Sequence, residues 1–123
     1  MKLWWAVAMA GAVGSLMRYA LGMTLQRYLG SAFGYGTLLA NVLGCFCIGF
    51  VMQLSERSII SAEWRIPIVI GLLGGFTTFS SFGYDTVHYM QNGNHVLALT
   101  NTMGNLILGL SGVWIGLYLA KVF

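Results

Sequence analysis

Apolar residues dominate four stretches of this chain, from about Leu3 to Leu29, Tyr35 to Leu54, Ile66 to Met90 and Val96 to Val122. Each matches or exceeds the roughly 20 residues a helix needs to cross a bilayer. The connections at 30–34, 55–65 and 91–95 are short, so neighbouring helices are predicted to run antiparallel. An even number of spans puts both termini on the same side. Small residues recur at helical spacing: Ala10 with Gly14, Ala40 with Gly44, and Gly112 with Gly116. Such pairs let helices approach closely in lipid, so they mark packing faces. The expectation is an all-α integral membrane protein: one four-helix domain over residues 1–123.

The third stretch breaks the pattern. Gly71 to Tyr84 reads GLLGGFTTFSSFGY, a run of poor helix formers inside an apolar span. Every backbone N–H and C=O in lipid needs a partner, so irregular backbone survives only where protein covers it or water reaches it. The third helix is therefore predicted to break at its centre, near Gly74-Gly75, and the break to form an ion site. With a helix resuming after Gly75, Thr77, Ser81 and Tyr84 form a polar stripe, and Phe79 and Phe82 share an adjacent face.

Further polar side chains fall within the spans, where they are costly and tend to be functional. Arg18 lies about 22 Å along the first helix at about 1.5 Å per residue. It either snorkels to the far interface or stands at a vestibule mouth and attracts anions. Asn41 sits among Leu38, Leu39, Val42 and Leu43, and Asn101 and Asn105 share one face of the fourth helix. They read either as hydrogen-bonding glue between helices or as donors facing something that passes through.

Composition sharpens the class. Hydrophobic residues make up 58% and charged residues 7%, against about a quarter charged in soluble domains. The formal net charge of +3 comes from scattered residues, with no basic patch for nucleic acid. Lys2, Arg57, Arg65 and Lys121 fall on the terminal side and Arg27, with or without Arg18, on the other, which favours cytoplasmic termini. Lys2 and the run to Ala8-Met9-Ala10 have the outline of a signal peptide, but the rest of the chain is just as hydrophobic and the run continues towards Arg27. Cys45 and Cys47 read as small apolar fillers.

The run Gly74 to Phe82 (GGFTTFSSF) resembles the signature of the Fluc (CrcB) family of fluoride channels. So do Gly11-x2-Gly14-x3-Arg18-Tyr19, Gly36-Thr37-Leu38-x2-Asn41-x2-Gly44 and the Asn101-x3-Asn105 pair. These pieces cover all four helices in order. The resemblance implies an antiparallel, dual-topology homodimer in the cell's inner (plasma) membrane, with two fluoride pores and one central structural Na+. It assigns the Na+ to backbone carbonyls of Gly74 and Thr77, and the pore phenylalanines to Phe79 and Phe82. It makes Asn41 the pore asparagine and places Thr78, Ser80, Ser81 and Asn105 on a polar track. The implied activity is passive, fluoride-selective export of cytoplasmic fluoride, with no nucleic-acid partner. Donors suit a small, strongly hydrated anion, and a phenyl ring's positive edge can meet one.

Two other classes compete. A proton-coupled multidrug or cation exporter of similar size depends on a carboxylate deep in the first helix. None is present there, and Asp85 in the third is the only acidic residue within a span. A non-transporting assembly subunit would explain the glycines but not the asparagines and hydroxyls. An enzyme is not expected, because Asp85, His88 and His95 lack an accompanying nucleophile or ligand set.

Overall fold

The computed structural model describes residues 1–123. Four helices are long and apolar enough to span a bilayer: α1 (Lys2–Leu29), α2 (Tyr35–Glu56), α3 (Ala62–Gln91) and α4 (His95–Ala120). There is no strand. α3 starts at Ala62, earlier than the apolar pattern predicts, because its first turn is polar. Ser61 is extended at the N-cap and Glu63 occupies the first turn, where a negative charge meets the positive end of the helix dipole.

α3 and α4 each contain a π-helical stretch, Pro67–Leu73 and Gly104–Leu108. The first begins at the chain's one proline, which lacks the N–H that would continue an α-helical ladder. The second begins three residues after Asn101 and contains Asn105.

Helix contacts are made through glycine. A methyl on Gly75 would lie 2.5 Å from the Gly11 carbonyl oxygen, and one on Gly71 2.7 Å from that of Val7. A methyl on Gly14 would collide with the Leu72 carbonyl. α1 and the first half of α3 are therefore in backbone contact. α2 and α4 meet in the same way, with Gly112 and Gly116 against the Val42 and Phe46 carbonyls. Gly14 and the Gly112–Gly116 pair make these contacts, whereas Gly44 of the Ala40–Gly44 pair lies against the Thr77 side chain of α3.

The outer surface is apolar. Trp4, Trp114 and Tyr118 are mostly exposed, as suits side chains facing lipid. Arg57 closes the terminal side by donating from Nη1 to the carbonyls of Ala120 (2.9 Å) and Lys121 (3.1 Å).

Candidate functional site

The break in α3 falls at Thr77–Thr78, not at the glycine pair. Gly74 to Phe76 are still helical, whereas Thr77 (φ −85°, ψ 158°) and Thr78 (φ −153°, ψ 112°) are extended. The sequence expectation is corrected here for two reasons. The Gly75 position is needed for contact with α1, and helical backbone gives that contact. The threonines are β-branched and favour extended backbone, and their side chains and neighbours supply the bonds that a helix would otherwise make. Thr77 is thus outside the resumed helix, and the predicted stripe loses its first member.

Asn41 on α2 holds the break. It accepts from the Thr78 N–H through Oδ1 (2.8 Å) and donates through Nδ2 to the Thr78 carbonyl (3.1 Å). One side-chain amide therefore satisfies both backbone groups of an extended residue. Thr78 caps the resumed helix, Phe79–Gln91, by accepting from the Ser81 N–H through Oγ1 (3.2 Å). Its hydroxyl also donates to Ser81 Oγ (3.0 Å) and lies 3.3 Å from Ser80 Oγ. A threonine at an N-cap fills this role by preference.

These bonds free other groups. In an unbroken helix the Thr78 N–H would go to the Gly74 carbonyl and the Ser81 N–H to the Thr77 carbonyl. Both donors are instead used by side chains, so the carbonyls of Gly74 and Thr77 lose their helical partners. The Gly75 carbonyl accepts from Arg18 Nε (3.1 Å). The C-terminal end of one half-helix thus offers oxygens. Its neighbour, the N-terminal turn of the next, offers N–H groups and the hydroxyls of Ser80 and Ser81.

Two cavities meet at Thr78, which lines both. The first, about 520 Å³, opens by the 30–34 loop between α1 and α2 and runs past Arg18 to Thr78 and Ser81. The second, about 340 Å³, is bounded by Asn41, Gly74, Phe79, Phe82 and Asn105 as well as Thr77 and Thr78. The Phe79 and Phe82 rings are edge-to-face, 5.4 Å apart at 63°. Phe79 is 81% exposed, so the second cavity is open on the outer side of the chain.

The matching family model, CrcB-like protein, Camphor Resistance (CrcB), covers residues 5–117. The chain is 42% identical over 116 residues to a fluoride-specific ion channel FluC of Solibacter usitatus, with 94% of this chain and 95% of that protein covered. It is 46% identical over 110 residues to a protein of the same name from Thermus thermophilus, with 89% and 88% covered. A Helicobacter pylori relative, also so named, is 43% identical over 121 residues, with 97% and 92% covered. This chain belongs to the CrcB family.

In this CrcB chain most of the residues singled out in the sequence lie in the walls of the two cavities at the break in α3. Asn41, Phe79, Phe82, Thr78 and Asn105 share the second cavity with Gly74 and Thr77. Arg18 and Ser81 belong to the first. Ser80 lines neither but touches Thr78. Arg18 donates from Nε to the Gly75 carbonyl and forms part of the first cavity's wall. Of the two readings of Asn41, hydrogen bonding between helices is already satisfied, because its second N–H goes to Asn105 Oδ1 (2.9 Å). Asn101 is fully buried and hydrogen-bonded within the chain.

Ser15 and Thr37 line the first cavity and Cys45 the second. Sequence reasoning passed over the first two, although a hydroxyl in an apolar span was the available signal. It read Cys45 only as a filler, and nothing in its type distinguishes a wall residue from a buried one. Asp85 lines neither cavity and packs beside Gly34, while His88 stacks on Tyr84 at 5.7 Å.

Proposed function

We propose that this protein is a passive, fluoride-selective channel that lets cytoplasmic fluoride leave across the inner (plasma) membrane. The observation that carries the reading is the Thr77–Thr78 break, where hydroxyls, a helix N-terminus and two phenyl rings border cavities that share Thr78. The names of its relatives point to the same activity.

On this reading, Arg18 draws anions into the first cavity, and the Thr78, Ser80 and Ser81 hydroxyls replace part of the ion's water. Passage then follows Phe82 and Phe79, whose ring edges carry partial positive charge. The Asn41 N–H directed at Asn105 is the donor for which an anion in the second cavity competes. A narrow lining of donors admits the smaller fluoride in preference to chloride.

The working unit is an antiparallel, dual-topology homodimer with two pores. The open outer side of the second cavity and the exposure of Phe79 favour a second copy as its missing wall. A structural Na+ fits the carbonyls of Gly74 and Thr77, freed by side-chain capture of their usual donors, since unwound membrane helices bind sodium through such oxygens. When bound, it would hold the two breaks together. No acidic residue stands at the break to call for a divalent ion.

The test is electrical. Protein in planar bilayers is expected to carry current in fluoride and none in chloride, with Phe79→Ile and Phe82→Ile each reducing it. Equal currents from the parent and both variants would remove the phenyl-edge mechanism. Transport that requires a proton gradient would instead favour the small multidrug exporter.

A further inference from the structure

A third cavity takes no part in the break. It is a groove of about 880 Å³ along α1 and the first half of α3. The glycine contacts explain it. Gly11 and Gly75 bring the two backbones together, and Ala6 and Ala10 are too short to fill the flank beside them. Val13, Ile68 and Leu72 extend the apolar lining. Both helices enter from the same side, so the groove has one polar end. Lys2 starts α1, and Glu63 lies in the first turn of α3. Both line the groove there, beside Trp64. Trp64 is exposed, and an exposed indole at a helix start suits the membrane interface.

The length of the groove is that of one lipid tail. From Leu3 to Val13 it runs about 15 Å along α1, at about 1.5 Å per residue. That is the depth of one leaflet in a hydrocarbon core about 30 Å thick. We propose that the groove holds one phospholipid with a phosphoethanolamine headgroup. Its phosphate meets the Lys2 ammonium, and its own ammonium donates to the Glu63 carboxylate. One acyl chain lies along Ala6, Ala10 and Val13. The two charges at the polar end select this occupant. An anionic headgroup would set its charge against Glu63, and a quaternary choline has no N–H to donate to that carboxylate. A second copy of the chain has only six basic and three acidic side chains in all, whereas the lipid carries both signs in one headgroup. None of these residues lines the cavities at the break, so the site stands apart from the channel reading.

The test is lipid titration of the delipidated full chain in detergent, with bound lipid counted by native mass spectrometry. Phosphatidylethanolamine, phosphatidylcholine and phosphatidylglycerol with the same acyl chains are compared. The parent is expected to bind one phosphatidylethanolamine per chain, about fivefold more tightly than either of the others, the size of one exposed charge pair. Glu63→Gln should remove the preference over phosphatidylglycerol, and Lys2→Gln should weaken all three. Val13→Trp fills the groove and should weaken all three without changing the oligomeric state. Each variant alters an exposed side chain, so the fold is retained. Equal affinities in the parent, or a preference that survives Glu63→Gln, would overturn the proposal. So would a Val13→Trp protein that dissociates while its lipid binding is unaltered, which would give the groove to a second copy.

Discussion

Two neighbouring stretches of α3 show opposite uses of residues that disfavour helix. Gly71 to Gly75 stay helical and lie against α1, where any added methyl at Gly71 or Gly75 meets backbone. Thr77 and Thr78 leave the helix, although neither lacks a side chain. Glycine costs a helix about 1 kcal/mol relative to alanine, which close packing easily offsets. A break in lipid needs replacement partners for several backbone groups, and glycine has none to offer. Threonine, assisted by Asn41, does. The chain therefore breaks where bonds are on offer and stays helical where closeness is required.

The sharpest way to break this comparison is to add bulk to the glycine stretch. Gly14→Leu, opposite the Leu72 carbonyl, is expected to abolish the folded protein, since forcing even a methylene or two into a packed interior costs about 1–3 kcal/mol. Recovery of monodisperse protein after detergent extraction reports it. Next in size is Asn41→Leu. It strands the Thr78 N–H and carbonyl, at about 1–3 kcal/mol for each unsatisfied group, and should lower the melting temperature and speed exchange at Thr78.

Thr78→Val keeps the shape and the extended preference but loses the cap. A cost of about 0.5–2 kcal/mol is expected, read by thermal unfolding, with fraying confined to the start of the second half-helix. The smallest effect belongs to Gly74→Ala. Its methyl would come no nearer than 3.7 Å to the Val69 carbonyl oxygen, so the protomer should gain at most about 1 kcal/mol. Gly75→Ala, measured beside it, should destabilise. A collapse on Gly74→Ala would mean that a second copy approaches that glycine as closely as α1 approaches Gly75.

The sequence made the four helices legible because their hydrophobic stretches are long and the connections short. The packing faces were legible for a similar reason: small-residue spacing carries its own geometry. The existence of a central break was also readable, from the concentration of poor helix formers. Its position was not. Choosing between Gly74-Gly75 and Thr77–Thr78 depends on Asn41, which is remote in sequence and whose amide bonds to Thr78 across two helices. A shared helix face was visible for Asn101 and Asn105, but the polarity of an amide is set by what stands opposite. Arg18 left two readings open because a long cation can reach either an interface or an inner carbonyl, and its bond to Gly75 depends on a residue remote in sequence.

The central claim is that the broken α3 borders a path for fluoride. The most direct measurement is fluoride efflux from liposomes containing only the purified protein, followed with a fluoride electrode, with chloride-loaded liposomes alongside. Rapid release of fluoride without release of chloride is the expected result. Retention of fluoride by liposomes carrying well-folded protein would contradict it.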